Sequence, residues 1–314
     1  MSLSRPTPRT VVAAFAVCLM VAAAACSSSG NNTSTSGTTG GTSGGSSAIP
    51  TATKDDSLAA MVPSKLTSAG KVIVAPDASY APNEFSSTDN KTIIGMDIDL
   101  GHAIGQVLGV PFEFQEASFD SIIPAMGTRY DVSMSSFTDT LERQQKVDMV
   151  TYFSAGTSFY VAKGQNSDLT SLDALCGHTV GVEKGTTQLD DATAQSKKCT
   201  DAGKSKVTVD AFPDQSGANV ALASGRVDVV MADSPVAAYA VQQSNDKFAL
   251  NGQPYGTAPY GIVVAKGSSY SGLSNAILGA LKNLNSDGIY TKILEKWGVQ
   301  SGAISDFKIN GATS

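Results

Sequence analysis

Met134-Ser135-Ser136-Phe137-Thr138-Asp139-Thr140-Leu141-Glu142-Arg143-Gln144-Gln145 marks the point where a strand stops and a run of hydroxyl side chains leads into a helix. A strand that ends in a polar turn and restarts as a helix is the unit from which parallel α/β sheets are built. Asp139 with Glu142 three residues on reads as a capping box, which leaves peptide N–H groups of the new helix near Ser135, Ser136 and Thr138. Arg143, in its first turn, adds a planar fork of donors matched to two carboxylate oxygens. Taken alone, the stretch also fits an ordinary capped helix with a surface arginine. The rest of the chain has to supply a cleft and a partner for an ammonium group.

Moving upstream, Tyr130 to Met134 is the strand that feeds the motif, Phe119 to Met126 a short helix and Phe112 to Gln115 another strand. Before these, Asp97 to Leu108 carries Ile98, Ile104, Val107 and Leu108 at helical spacing, with Gly109 as terminator. Lys71 to Ala75 is β-branched and ends before Pro76, and Met61 to Ser68 is a short leading helix. The loop Pro76 to Asn90 holds Asp77, Tyr80 and Phe85. This βαβαβ order predicts a parallel sheet with right-handed crossovers and a ligand beyond the carboxyl ends of its strands, where Asp77, Phe119 and Ser135 fall.

Downstream the pattern begins again. Thr157 to Ala162 and Thr179 to Val182 are strands, and Glu183-Lys184-Gly185-Thr186-Thr187-Gln188 turns into a helix. Val207 to Phe212, a helix from Ala218 to Ser224, and Val227 to Ala232 lead to Asp233. A helix Pro235 to Gln243, a strand Tyr260 to Val264 and two closing helices, Leu273 to Asn285 and Gly288 to Trp297, complete the chain. Two α/β units in series, with one strand carrying the chain across and another bringing it back, predict lobes joined by two parallel crossings, which is hinge geometry. The expected division is 56–159 with 262–314 for the first lobe and 160–261 for the second.

The outermost stretch is of another kind. Arg5 and Arg9 precede the apolar run Val11 to Val21, so residues 1–25 read as a secretory signal, too short to span as a stable helix. Residues 26–55 form an expected linker whose Ser27 to Ser47 are almost all Ser, Thr, Gly and Asn, too polar to fold alone. With the signal removed, 22 Lys and Arg become 20 against 28 acids, a net charge near −8, which argues against a nucleic-acid partner. Of the 4 cysteines, Cys18 leaves with the signal. Cys176 and Cys199 remain as an even pair in an oxidising compartment, and a disulfide across the helix beginning near Thr187 is favoured over two buried free thiols. The 2 histidines, His102 and His178, are isolated, so no metal set forms and no cofactor is expected.

An α-amino acid presents one anion and one cation about a single carbon. Arg143 and the hydroxyl donors suit the first, and the Asp233 carboxylate suits the second. Asp77 and Glu183 add negative charge where a side chain would end, which favours a cationic side chain because an unpaired acid in a closed cleft is costly. Glutamine, glutamate and histidine stay open, as do readings in which Asp77 caps a loop turn, Glu183 faces solvent, or Tyr80 and Phe119 are core aromatics.

Six motifs in order resemble one family. Tyr80-Ala81-Pro82, Gly95-Met96-Asp97-Ile98-Asp99-Leu100, Phe119-Asp120-Ser121-Ile122-Ile123-Pro124-Ala125, Ser135-Ser136-Phe137-Thr138 with Glu142-Arg143, Val180-Gly181-Val182 with Gly185-Thr186-Thr187-Gln188, and Gly225-Arg226-Val227-Asp228 with Asp233-Ser234-Pro235 look like the polar amino-acid-binding proteins of ABC importers, solute-binding protein family 3. The resemblance implies the two-lobed periplasmic binding protein fold of type II, in which each lobe is a mostly parallel sheet flanked by helices. It implies that Arg143, with Ser136, Thr138 and the Thr186-Thr187 turn, takes the ligand carboxylate. Asp233 with Ser135 takes the α-ammonium, Tyr80 and Phe119 sandwich the side chain, and Asp77 faces its tip. Asn83 departs from the family, which usually has Phe there, and Phe85 is expected to fill the space. Ala23-Ala24-Ala25-Cys26 resembles a lipobox, with Ala23 where Leu is usual; cleavage after an Ala-x-Ala site is the alternative.

The implied partners are a free amino acid, a separate permease with its ATPase, and the membrane through a lipid on Cys26 of an exported monomer. An enzyme of the prephenate or arogenate dehydratase kind, and a ligand sensor, are the competing classes.

Overall fold

The computed structural model describes residues 49–312. The expected signal, Cys26 and most of the expected linker lie outside them. Two short helices, α1 (Asp56–Ala59) and α2 (Ser64–Ala69), lead into β1 (Val72–Ala75). The loop beyond it folds into a small antiparallel sheet of β2 (Ser79–Tyr80), β3 (Glu84–Ser86) and β4 (Ile93–Ile94). Next come α3 (Met96–Leu108), β5 (Phe112–Phe114), α4 (Phe119–Ala125), β6 (Val132–Ser133) and α5 (Leu141–Gln144). A long strand, β7 (Asp148–Ala162), then leads to β8 (Thr179–Glu183), α6 (Thr187–Asp201), β9 (Thr208–Phe212), α7 (Gln215–Ala223), β10 (Val229–Asp233) and α8 (Ser234–Gln243). A second long strand, β11 (Phe248–Val264), returns to α9 (Leu273–Ser286) and α10 (Ile289–Trp297).

The main sheet has the order β5-β1-β6-β11-β7-β10-β8-β9. Pairings within each half are parallel, β1 with β5 and β6, β8 with β9 and β10, as the repeated βαβ pattern requires. The two crossing strands run antiparallel to each other rather than parallel, from Asp148 opposite Val264 to Ala162 opposite Phe248, because one carries the chain out and the other back. The backbone N–H of Lys163 donates to the Lys247 carbonyl at 2.8 Å just beyond that ladder. Three register shifts interrupt β11, between Asn251 and Tyr255, Tyr255 and Ala258, and Tyr260 and Gly261. Such irregularities let a strand bend without losing its neighbour.

The inner strands of the second half, β8 and β10, are buried on both faces, as parallel strands between helices must be, while β9 forms the exposed edge. Val180, Val182, Val229 and Met231 pack with Leu175, Ala192 and Cys199, while Val230 and Ala232 pack on the other side with Ala218, Leu222 and Val236. In the first half, Leu100 and Ile104 of α3 meet Ile277 and Leu281 of α9 and Ile293 of α10 over Val72, Val74 and Val264. The sulfur atoms of Cys176 and Cys199 are bonded, tying the segment before β8 to α6. The result is a two-lobed α/β fold in which both sets of strand ends face one cleft. Among the described residues, no helix is long and apolar enough to cross a membrane, and no cluster of His, Cys, Asp or Glu could hold a metal ion.

Candidate functional site

A cavity of about 290 Å³ lies between the lobes, lined by Asp77, Tyr80, Phe119, Ser135, Ser136, Thr138, Arg143, Glu183, Thr186, Thr187, Gln188 and Asp233. All eleven residues singled out in the sequence for this cleft are brought together, and Gln188 joins them. The topology makes this so: Asp77 follows β1, Ser135 and Ser136 follow β6, Glu183 ends β8 and Asp233 ends β10. Phe119 opens α4, and Thr187 with Gln188 opens α6.

Arg143 spans the cleft. Its Nη1 donates to the Thr138 carbonyl at 2.9 Å and its Nη2 to the Gly185 carbonyl of the opposite lobe at 3.0 Å. The guanidinium lies over Phe119 and Phe137, whose rings are stacked 4.1 Å apart. Burial pulls its pKa down, and Asp233 is the largest influence in the other direction. A guanidinium stays charged under either.

The donors beside it come from α6 rather than from the helix that carries Arg143. Thr186 caps α6, accepting from the Leu189 N–H at 3.3 Å, and Thr186, Thr187 and Gln188 at the start of this 15-residue helix line the cavity. The expected capping box at Asp139 and Glu142 does not form. Thr140 is the cap of α5, accepting from the Arg143 N–H at 3.2 Å, and α5 has only 4 residues. Asp139 instead accepts from Gln144 and from the backbone N–H groups of Gly311 and Ala312, pinning the C-terminal segment.

Asp233 is held from two sides, Oδ1 accepting from Gln188 Nε2 and Oδ2 from the Tyr260 hydroxyl, both at 2.7 Å. Burial raises its pKa and those hydrogen bonds oppose the rise. A carboxylate has about four lone-pair positions, so acceptor capacity remains for an ammonium group. Asp77 is both a cap and a wall of the cavity. It accepts from the Ser79 N–H and hydroxyl and, through Oδ2, from the Phe119 N–H at 3.0 Å, while burial pushes its pKa up. Glu183 does not face solvent: it is 2% exposed, and its Oε1 has no hydrogen-bond partner. Its pKa is raised well above the ordinary value, first by burial and then by Asp77, Asp214, Asp233 and Asp120.

Beneath the serines lies a pair of acids that the sequence did not single out. Ser135 Oγ donates to Glu84 Oε1 and Ser136 Oγ to Glu84 Oε2, both at 3.2 Å, and the Ser136 N–H donates to Asp97 Oδ2 at 3.2 Å. Both donors of Ser136 are therefore engaged away from the cavity, leaving its hydroxyl as an acceptor. Its φ of 52° places it in the left-handed region, which costs a serine of order 1–3 kcal/mol and persists only where the surroundings impose it. Glu84 and Asp97 are fully buried, Asp97 Oδ2 also accepting from the Tyr152 hydroxyl at 2.7 Å, and burial raises the pKa of both. Asn83 occupies the space assigned to Phe85, donating to Ser136 Oγ at 2.9 Å, while Phe85 packs against Tyr239 and Trp297 outside the cavity. Gln188 was legible as part of the Gly185 to Gln188 turn. Nothing in the sequence separates Asp97 from an ordinary acid in a helix's first turn.

The family model described as bacterial extracellular solute-binding proteins, family 3, matches residues 72–300. An arginine-binding protein of Corynebacterium glutamicum is 33% identical over 254 residues, which cover 80% of this chain and 82% of that protein. A solved ancestral arginine-binding protein bound to arginine aligns with a TM-score of 0.66 at 40% identity, covering 73% of this chain and 98% of its own. An ancestral arginine-binding protein bound to glutamine aligns with a TM-score of 0.65 at 39% identity, covering 73% and 98%.

Proposed function

The chain belongs to the bacterial extracellular solute-binding proteins, family 3, and from that premise we propose that it captures a free basic amino acid, arginine before lysine, for an ABC importer. The lobes close on the ligand, and a separate permease with its ATPase recognises the closed form. Arg143, the α6 N-terminus and Thr138 hold the carboxylate. Asp233 and Ser135 hold the α-ammonium, and the side chain runs between Tyr80 and Phe119 toward Asp77 and Glu183. The relatives bound to or named for arginine support this reading.

One observation carries it. The cavity has three carboxylates, Asp77, Glu183 and Asp233, against one guanidinium. A zwitterion neutralises Arg143 and Asp233 and leaves two acids, so a ligand with a cationic side chain is the one that leaves least charge unpaired. Glutamine and histidine satisfy one acid less well, and glutamate would place a second anion beside them.

A thermal-shift screen of the common amino acids tests the assignment, because a ligand that binds only the folded chain stabilises it by about 4 kcal/mol at a thousand times its Kd. The expected order is arginine, then lysine, then glutamine, with none for glutamate. A shift for glutamate larger than for arginine overturns the assignment. By the same reading the first 25 residues are removed, Cys26 carries the lipid, the linker runs to residue 55, and the lobes divide at about 160 and 261.

Glu183, a buried acid whose pKa is raised first by burial, is also the group an exported dehydratase of aromatic precursors would place over a leaving hydroxyl. Incubation with prephenate and arogenate separates the readings: capture without turnover leaves both unchanged.

A further inference from the structure

Glu183 stands at the end of β8 with both lobes packed around it. It is nearly inaccessible, it lines the cavity, and its Oε1 has no donor. The charged groups acting on it most are all acids: Asp77 after β1, Asp214 before α7, Asp233 at the end of β10 and Asp120 on α4. The Tyr80 and Tyr160 phenols, whose pKa is raised first by burial, are in turn raised further by its charge. No hydrogen bond or ion pair joins Arg143 to it, the Arg143 Nη atoms donating to the Thr138 and Gly185 carbonyls. Asp77 differs in kind, since both its oxygens already accept hydrogen bonds from Ser79 and Phe119.

We propose that Glu183 sets the charge class of ligand the cleft accepts by gaining or losing one proton. With a guanidinium or ammonium against it, the carboxylate is ionised and its unpartnered oxygen receives an N–H. With a neutral amide or urea in that place no counter-charge arrives, so the carboxyl carries one proton drawn from solvent, and its O–H donates a hydrogen bond to the ligand oxygen. The inference rests on the reading of the cleft as an amino-acid site and adds a rule for which side chain it prefers at which pH.

The two closed complexes then differ by one bound proton. Linkage requires the ratio of cationic to neutral affinity to rise by up to about tenfold per pH unit, whatever the state of the open cleft, because both ligands start from the same free protein. Low pH favours the neutral ligand and neutral pH the cation.

The test is calorimetric titration of the full chain with arginine and with citrulline, its neutral urea isostere, from pH 5 to 8, in the native protein and in Glu183→Gln. The expected result is an arginine-to-citrulline affinity ratio that climbs close to tenfold per unit over part of that range in the native protein and is flat in the variant. Arginine weakens about a hundredfold or more in Glu183→Gln, and citrulline does not. A flat ratio in the native protein overturns the inference while leaving amino-acid binding intact. A climbing ratio retained in Glu183→Gln also overturns it and moves the proton to Asp77. Failure of both ligands to bind at any pH sinks the underlying reading as well.

Discussion

Arg143 Nη2 donates to the Gly185 carbonyl at 3.0 Å, so a side chain from one lobe holds the turn that opens α6 in the other. Its second arm is fixed on Thr138, which leaves the fork oriented before any ligand arrives. Arg143→Ala is expected to lower arginine affinity by two to four decades, the scale of about 3–5 kcal/mol for breaking a buried charged pair. Arg143→Lys cannot restore both arms and should recover little of it. Calorimetry checks the affinity, and a ligand-free melting curve within a few degrees of native shows that the loss is local.

Gly185 has a φ of 77°, and a Cβ there would lie 3.0 Å from Asp120 Cα and Cβ across the cleft. Gly185→Ala meets a backbone penalty of roughly 1–2 kcal/mol and obstructs closure as well. Arginine affinity is expected to fall about tenfold or more, with small-angle scattering showing a larger radius of gyration at saturating ligand than for the native chain.

Carboxyls whose pKa is raised by folding bind protons in the native state that the unfolded chain has released. Glu84, Asp97, Glu183, Asp77 and Asp233 are all raised, Asp97 to about 7. The native state therefore holds more protons than the unfolded one between the ordinary carboxylate range and those raised values. Stability in that window falls as pH rises, by about 1.4 kcal/mol per unit for each proton involved. The ligand-free chain should melt higher at pH 5 than at pH 8. Saturating arginine should flatten the dependence by keeping Glu183 ionised, whereas a melting point that climbs from pH 5 to 8 without ligand would contradict the buried acids.

Glu84 acts on the ligand only through Ser135 and Ser136, whose hydroxyl protons it receives. Glu84→Gln keeps the volume but turns one acceptor into a donor, so one serine loses its anchor. Affinity is expected to fall about tenfold, on the scale of one hydrogen bond of 0.5–1.5 kcal/mol. A merely structural role would lower the melting point and leave calorimetric affinity unchanged.

The fold and the cleft were largely written in local signals. Strand ends followed by polar turns place Asp77, Ser135, Glu183 and Asp233 on one side of the sheet from sequence alone. The crossing strands were legible only in part, as Thr157 to Ala162 and Tyr260 to Val264, whereas they run from Asp148 and from Phe248. Gly156, Gly252, Pro254 and Gly256 disfavour a regular strand on local preference alone. Tertiary pairing overrides that preference, and Gly156 and Gly252 fit because backbone comes close: a Cβ would lie 2.7 Å from the Tyr255 carbonyl oxygen on the first and 2.5 Å from the Thr170 carbonyl oxygen on the second. Asp139 was misread for a related reason, since two of its three partners stand 172 and 173 residues away. No window of neighbouring residues carries that information, and the same holds for the acids beneath Ser136.

The hydrogen bond from Lys163 to Lys247 brings the two ends of an 83-residue stretch, 164–246, side by side. That stretch is in effect a cassette plugged into the first lobe through one doorway. Exchanging it for the equivalent piece of a relative would replace Glu183, Gln188 and Asp233 together and leave Asp77, Ser135 and Arg143 in place, so a hybrid could acquire a new diet without rebuilding the body that holds it.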